Sequence, residues 1–253
     1  MIEKKDHINH VDAWTSLRSF TNARIALGRT GVSVPIEEAL QFKMAHANAR
    51  DAVFSHFEKE QIFTALQLFQ QPVFFLRSSA TDRHVYLQRP DLGRRLNEKS
   101  INKLNNFKSK GYDICICIAD GLSSTAVNMH AVNLLLLLVP MLREQKISIA
   151  PFCIVEQGRV AVSDETGNLL KVKLSVILIG ERPGLTAADS MSAYLTYNPS
   201  VGLTDESRNC ISNIRPEGMS YATAADKIFY MITESIRLKI SGVHLKDNIK
   251  AIS

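Results

Sequence analysis

The second half of the chain alternates between apolar runs of strand length and segments with helical periodicity, and this order strongly limits the folds open to it. The strand-like runs cover residues 113–119, 147–155 and 175–179. Helical stretches separate them at residues 123–144 and 164–173. Strands joined through helices run parallel in one sheet, because a parallel pair needs a long crossover connection. The pattern therefore predicts an α/β fold with a Rossmann-like open parallel sheet and flanking helices.

An N-terminal helical region precedes this sheet. Pro35 suits the first turn of a helix, where its missing N–H would be unpaired anyway. Glu37 and Glu38 follow it, where the helix dipole favours negative charge. Apolar residues then recur at helical spacing as far as Phe69, which predicts helical structure over most of this region.

A last helix is predicted at the end of the chain. Apolar residues recur every four positions from Ala224 to Ile240, and Gly242 is the expected C-cap. The predicted units are a loose N-terminal tail, a helical region, an arginine-rich connecting segment and a Rossmann-like domain, at residues 1–12, 13–76, 77–110 and 111–253.

The composition is that of a folded globular protein. Of the 253 residues, 45% are hydrophobic and 22% are charged, and the net charge of +5 is mild. The polar start has no apolar leader segment behind it. The most apolar run, residues 131–142, is shorter than the ~20 residues that a membrane span needs. We therefore interpret that run as a core helix and expect a cytoplasmic protein without a membrane partner.

The cysteines and histidines predict no metal site. Four cysteines are too few for a disulfide-rich secreted scaffold. Cys115 and Cys117 share one face of a predicted strand, and the spacings typical of zinc ligands do not occur. His46 and His130 lie in predicted helices and have no partner at metal-ligand spacing.

Arginines are concentrated in residues 77–95 of the connecting segment, where five of them face only Asp82 and Asp91. A nucleic-acid interface is not favoured, because Tyr86 is the one aromatic residue among them. Guanidinium groups also suit protein interfaces, and we interpret the segment as a contact with a protein partner. The arginines are Arg77, Arg83, Arg89, Arg94 and Arg95.

Ligands of open α/β sheets bind beyond the carboxyl ends of the strands. At the first such end, Asp120 or Ser123 caps the following helix, or the free N–H groups there bind an anion. Ser123 as the nucleophile of a stand-alone α/β hydrolase has little support, because the G-x-S-x-G pattern is absent. A non-catalytic ligand-binding module is a further alternative.

Two later stretches are also candidates for a site. Residues 180–184 follow the third strand, and their glycines and proline predict a tight turn around Glu181. Residues 186–216 lack strong periodicity, which is typical of a functional loop. Cys210 lies in the part of this loop that is densest in hydrogen-bonding groups, although a single cysteine is more often a small buried residue.

Sequence motifs for cofactors are missing. Asp82 and His84 match the beginning of the D-x-H-x-x-G cobalamin signature, but Leu87 stands where the glycine is required, so we interpret the match as chance. The dinucleotide G-x-G-x-x-G fingerprint and the Walker A loop are both absent.

Several longer stretches, in order along the chain from about Trp14 onward, resemble the small (light) subunit of ethanolamine ammonia-lyase. They are residues 23–29 (ARIALGR), 42–53 (FKMAHANARDAV), 86–94 (YLQRPDLGR), 119–123 (ADGLS), 179–185 (IGERPGL), 193–197 (AYLTY), 208–216 (RNCISNIRP) and 242–247 (GVHLKD).

The resemblance implies a subunit of an enzyme that converts ethanolamine to acetaldehyde and ammonia by radical chemistry with adenosylcobalamin. In that family the substrate pocket is in the barrel of the large subunit, and the small subunit covers the cofactor at the interface. The implied cofactor-binding residues are Val160, Glu181 and Cys210, with no catalytic residue and no metal ligand in this chain. The implied assembly is a hexamer of heterodimers in the cytoplasm, and a bacterial microcompartment is a further location open to it.

Overall fold

The fold is taken from a computed structural model, which describes residues 9–10, 12–21, 23–109 and 111–246. Most of the tail predicted for residues 1–12 lies outside these ranges. Strand β1 (Asn9–His10) pairs antiparallel with β2 (Arg29–Thr30), so part of the predicted tail belongs to a small two-stranded sheet.

The N-terminal helical region contains α1 (Ile36–Phe54) and α2 (Lys59–Leu66), as the sequence predicts. Pro35 is the N-cap residue of α1. The exposure of α1 is unexpected for a helix of this length, because Ala52 is its one buried residue. Most of the apolar side chains of α1 therefore lie on the surface of this chain.

The main sheet has six strands among the described residues, in the order β3-β5-β4-β6-β7-β8. Their bounds are β3 (Val73–Arg77), β4 (Tyr112–Ala119), β5 (Phe152–Glu156), β6 (Val172–Gly180), β7 (Met191–Tyr197) and β8 (Arg208–Ile214). The first four run parallel, which confirms the prediction for β4, β5 and β6, whereas β7 is antiparallel to both β6 and β8. The sheet is therefore mixed, because the connection from β6 to β7 contains no crossover helix and returns the chain in the opposite direction.

Two predictions about strands are wrong. Strand β3 at one edge of the sheet falls inside the segment predicted to be helical. The long functional loop predicted for residues 186–216 contains β7 and β8. Both faces of β7 are largely buried, so its sequence lacks the polar and apolar alternation of a half-exposed strand.

The arginine-rich segment contains three short helices: α3 (Arg83–Gln88), α4 (Pro90–Gly93) and α5 (Glu98–Asn105). Helices α6 (Ser124–Glu144) and α8 (Tyr221–Leu238) pack on one face of the main sheet. The other face is covered by α5 and α7 (Val162–Leu169), and Cys115, Cys117 and Cys153 are buried in that second core. The two cores place the sheet between layers of helices.

Helix α6 contains the apolar run of residues 131–142. By length and composition it could cross a membrane, but half of it is buried inside the protein, as expected of a core helix. The predicted cap of α8 is wrong, since the helix ends at Lys239 in the left-handed conformation (φ 59°) instead of at Gly242. Gly242 is required for a different reason, because a Cβ there would lie 1.9 Å from the carbonyl oxygen of Glu206.

Candidate functional site

The turns that follow β4 and β5 meet at the carboxyl edge of the sheet. Asp120 comes directly after β4, and its side chain is 3% exposed. Its Oδ1 accepts hydrogen bonds from the N–H groups of Gly121 (3.0 Å) and Gly158 (3.1 Å), and its Oδ2 accepts one from Gln157 (3.0 Å). Because Gln157 and Gly158 follow β5, one carboxylate holds two neighbouring strand ends together.

Arg83, the first residue of α3, faces this carboxylate. Its Nη1 lies 3.6 Å from Asp120 Oδ2 and donates to the carbonyl oxygen of Gly121 at 2.8 Å. Its Nε donates to the carbonyl oxygen of Val53, near the end of α1, at 2.7 Å. Burial raises the pKa of Asp120 to about 6, and the charge of Arg83 limits that rise. Arg83 therefore connects α1 with the edge of the sheet.

Tyr86 supports the turn after β5 and is fully buried. The guanidinium carbons of Arg83 and Arg159 lie 4.7 Å and 4.2 Å from the centre of its ring. Its hydroxyl donates to the carbonyl oxygen of Gly158 at 3.2 Å. Since Val160 is the next residue after Arg159, the position of Val160 depends on this packed group.

Glu181 directly follows β6, and its carboxylate is anchored through one oxygen. Oε1 accepts hydrogen bonds from the hydroxyl of Ser192 and from the N–H of Asn213, the latter at 2.9 Å. Within the ranges that the structure describes, Oε2 has no hydrogen-bond donor, and no arginine forms an ion pair with Glu181. A fixed carboxylate with one oxygen available can accept a hydrogen bond from a ligand.

Two glycines bring the turn after β4 against the end of β6. Gly121 has a φ of +60°, and a Cβ at this position would lie 2.3 Å from the carbonyl oxygen of Gly180. A Cβ at Gly180 would lie 2.0 Å from the carbonyl oxygen of Ser123. Leu122 donates its N–H to Gly180 at 3.0 Å. This close approach brings the turn after β4 next to the strand end that carries Glu181. The same turn is bonded through Asp120 to Gln157 and Gly158, which precede Val160.

Cys210 lies in the edge strand β8, opposite Tyr194 of β7, and not in a loop as predicted. Its thiol is exposed, in contrast to the three cysteines of the second core. Desolvation against the sheet raises the pKa of this thiol, hydrogen bonds with Tyr194 and Ser192 oppose the rise, and the charge of Glu181 adds to it. The thiol is therefore protonated at neutral pH.

The three residues implied by the resemblance are near neighbours in the structure. Val160 and Glu181 line one cavity of about 140 Å³, together with Tyr86, Arg159 and Tyr194. Cys210 does not line the cavity but is paired with Tyr194, which does. Such a cavity is smaller than the ~300–1,000 Å³ of a typical small-molecule site, so it is too small to enclose a ligand of that size by itself.

Ser123 is a helix cap. Its Oγ accepts a hydrogen bond from the N–H of Ala126 (3.3 Å) and donates one to the carbonyl oxygen of Ala188 (2.8 Å). No histidine within the described ranges is bonded to it. Asp82 likewise caps α3 by accepting a hydrogen bond from the N–H of Val85 at 3.0 Å. The aspartate of the partial cobalamin signature is therefore a helix-capping residue.

The arginines of the connecting segment have different roles. Arg83 is directed inward, Arg89 pairs with Asp91 at 2.6 Å, and Arg95 pairs with Glu165 at 2.8 Å. Arg94 is exposed and forms no ion pair with any residue in the described part of the chain. Arg77 donates to the carbonyl oxygen of Thr81, so Arg94 is the member of the group whose side chain has no partner in the described part of the chain.

Sequence reasoning did not identify four residues that line the cavity beside Glu181: Tyr86, Arg159, Ser192 and Tyr194. Tyr86 and Arg159 carry no local signal, since their roles depend on a contact between residues more than seventy positions apart. Ser192 and Tyr194 belong to β7, and a strand at residues 191–197 would have placed them beside Glu181.

The chain was compared with known proteins. Residues 11–246 match the model of the ethanolamine ammonia-lyase light chain (EutC) family. The ethanolamine ammonia-lyase small subunit of Azotobacter vinelandii is 52% identical over 237 residues, which cover 92% of this chain and 88% of that protein. Small subunits from Pseudomonas aeruginosa (51% identity, 92% and 87% covered) and Xanthomonas campestris (48%, 93% and 88%) are also similar. These matches confirm the resemblance seen in the sequence motifs.

Proposed function

Because this chain belongs to the family of ethanolamine ammonia-lyase small subunits and is therefore a subunit of a carbon–nitrogen lyase, we propose that it covers adenosylcobalamin at the interface with a large, catalytic subunit. The name of its relatives, "small subunit", implies a larger partner. The observation that carries the proposal is the partial cavity that Val160 and Glu181 line together.

The shape of this edge supports a shared site. A cavity of about 140 Å³ cannot enclose a corrinoid. The cavity lies at the carboxyl edge of the parallel strands, which is the edge where open α/β sheets bind ligands. The rest of the binding site is then supplied by the partner, and neither subunit is expected to hold the cofactor well alone.

The chemistry of the wall also fits the cofactor. The rim of a corrin carries amide side chains, which offer N–H donors. Glu181 Oε2 can accept from such a donor, while Oε1 keeps the carboxylate in place through Ser192 and Asn213. Val160 offers an apolar contact, and the Cys210 thiol adds a small polarisable group on the neighbouring strand.

We assign no catalytic residue to this chain. Adenosylcobalamin, when bound, supplies the radical chemistry that converts ethanolamine to acetaldehyde and ammonia. The residues named here bind and orient the cofactor and cover one side of it against water. The substrate pocket is in the barrel of the large subunit, so substitutions in this chain should affect the cofactor requirement more than the ethanolamine requirement.

Helix α1 is the proposed docking surface for the large subunit. Ile36, Leu40 and Met44 form one stripe along this helix and are 76%, 57% and 65% exposed. An apolar stripe of this kind usually marks an interaction surface. Arg94 lies apart from α1, in a cavity that it lines with Ala161 and Leu203, and offers an unpaired cation for a second contact with the partner. The heterodimers are proposed to assemble as a hexamer in the cytoplasm or within a bacterial microcompartment.

Co-expression of this chain with a large subunit tests the proposal. The purified complex should retain added adenosylcobalamin through gel filtration and show its visible spectrum, whereas each subunit alone should not. Modification of the exposed Cys210 gives a second readout, since bound cofactor should slow its reaction with an organomercurial, which also reacts with a protonated thiol. A complex that assembles but neither retains cobalamin nor protects Cys210 would contradict the proposal. Ester hydrolysis by this chain alone would favour the hydrolase alternative.

A further inference from the structure

One buried carboxylate connects both parts of the cofactor-facing wall. Asp120 accepts hydrogen bonds from Gln157 and Gly158, which lead into Val160. It also accepts from Gly121, whose neighbour Leu122 donates to Gly180 directly before Glu181. Three backbone N–H groups from two turns thus depend on this one side chain.

Arg83 extends this connection to the N-terminal region. Its guanidinium group contacts Asp120 and Gln157 Oε1 at 3.6 Å and 3.4 Å. The same group bonds to carbonyl oxygens of two other elements, Gly121 in the turn after β4 and Val53 in α1. A planar guanidinium can make these contacts together, whereas an ammonium group can reach only some of them.

We propose that Asp120 and Arg83 are positioning residues for the cofactor wall, which fix the turn of Val160 relative to the strand end of Glu181. This inference rests on the proposed function. Asp120 does not need to touch the cofactor, because it is buried behind the turns that it joins. Arg83 acts through Asp120 and through the carbonyl oxygens that it bonds. Their substitution should leave the wall present but misaligned, so cofactor binding weakens more than assembly does.

Two variants test this, Asp120→Asn and Arg83→Lys, in the co-expressed complex. Asn has one acceptor oxygen and presents an NH₂ group toward N–H donors, and Lys keeps the charge without the fork of Arg83. The matched control is Asp113→Asn at the opposite end of the same strand β4, where Asp113 accepts from Ser148 at 2.8 Å and pairs with Lys173 at 2.8 Å.

Adenosylcobalamin affinity is expected to fall roughly tenfold or more in Asp120→Asn and to a smaller extent in Arg83→Lys. The KM for ethanolamine at saturating cofactor should change little, and the control should match wild type in both. Hydrogen exchange without cofactor should show faster exchange of the Gln157 and Gly158 N–H groups in Asp120→Asn.

Cobalamin titrations of both variants that overlay wild type would overturn the inference. Unchanged exchange at Gln157 and Gly158 would overturn it as well. If Asp120→Asn fails to assemble, Arg83→Lys decides the question through the cobalamin titration, with the KM for ethanolamine at saturating cofactor as the comparison. A wild-type complex that binds no cobalamin would instead contradict the proposed function, while the exchange experiment would still test the positioning role.

Discussion

Arg208 and Asp164 form an ion pair in which the two side chains are only 3% and 2% exposed. Arg208 also pairs with Asp205 at 2.9 Å and donates to the carbonyl oxygen of Leu203 at 3.0 Å. The pair joins β8, which carries Cys210, to helix α7. Burial raises the pKa of Asp164, although the charge of Arg208 opposes the rise.

Removing one partner of this pair should be strongly destabilising. Arg208→Met leaves the Asp164 carboxylate buried without its cation, which costs about 3–5 kcal/mol in the free energy of unfolding. The double variant Arg208→Met, Asp164→Leu should recover most of this loss, because no uncompensated charge remains. Thermal unfolding of the purified complex measures the loss in the single variant and the recovery in the double variant. If the double variant is less stable than Arg208→Met, the ion pair is not what stabilises this part of the protein.

Ser123→Ala should affect stability and not chemistry. The hydroxyl caps α6, so its loss should lower the free energy of unfolding by about 1 kcal/mol. Turnover of ethanolamine by the assembled complex should stay within a few fold of wild type. An esterase activity of this chain that disappears in the Ser123→Ala variant would show that the residue is a nucleophile after all.

The docking surface can be tested by introducing charge on α1. Leu40→Glu combined with Met44→Glu should abolish co-purification of the large subunit, because both side chains are more than half exposed in this chain and would be desolvated in the complex. Arg94→Ala should weaken co-purification to a smaller extent. Leu238→Glu, at a leucine that is 42% exposed at the end of α8, is the control and should leave the complex intact. Equal recovery of all these complexes on gel filtration would exclude α1 as the interface.

The raised pKa of Asp120 predicts a specific pH dependence. Its folded pKa of about 6 lies above the ordinary value of 3.8, so between these pH values the folded state binds more protons than the unfolded state. The contribution of Asp120 to the free energy of unfolding therefore falls as pH rises through this window and is constant above it. The groups that face Asp120 are Arg83 and, beyond it, Tyr86 and Arg159.

Thermal unfolding of wild type and Asp120→Asn between pH 4.5 and 7 measures this contribution as a difference. The stability of wild type relative to the variant should decrease as pH rises toward about 6. A difference that is constant over the range, or that increases with pH, would show that the carboxyl titrates at an ordinary or lowered pKa.

Sequence patterns were sufficient to locate the long helices and the continuously apolar strands. Helix α6 and strands β4 and β6 occur within a few residues of their predicted bounds, and Pro35 marks the start of α1. Periodicity failed for β7, because a strand with two buried faces has no alternating pattern. It also failed for β3, which is short and is recognised only through its pairing with β5.

The candidate site could be predicted only in part, because some of its residues have no local sequence signal and are brought together by tertiary contacts. The turn around Glu181 was a candidate because it follows an apolar strand at a ligand-binding edge, and the family resemblance then implied that Glu181 itself binds the cofactor. The supporting residues Tyr86 and Arg159 could not be identified, since their roles come from tertiary contacts across the turn after β5. Cys210 was placed in a loop because β8 alternates between buried and exposed positions only irregularly.

The most direct test of the account is a cobalamin titration of the assembled Glu181→Ala complex beside Glu181→Gln. A hydrogen bond to a charged group contributes about 1.5–3 kcal/mol, so Glu181→Ala should weaken adenosylcobalamin binding by roughly 10- to 100-fold. Glu181→Gln should retain part of the affinity, since its carbonyl oxygen still accepts, and Glu144→Ala at the far end of α6 should behave as wild type. The KM for ethanolamine at saturating cofactor should be unchanged in all of them. A Glu181→Ala titration that overlays wild type would contradict the claim that this edge covers the cofactor.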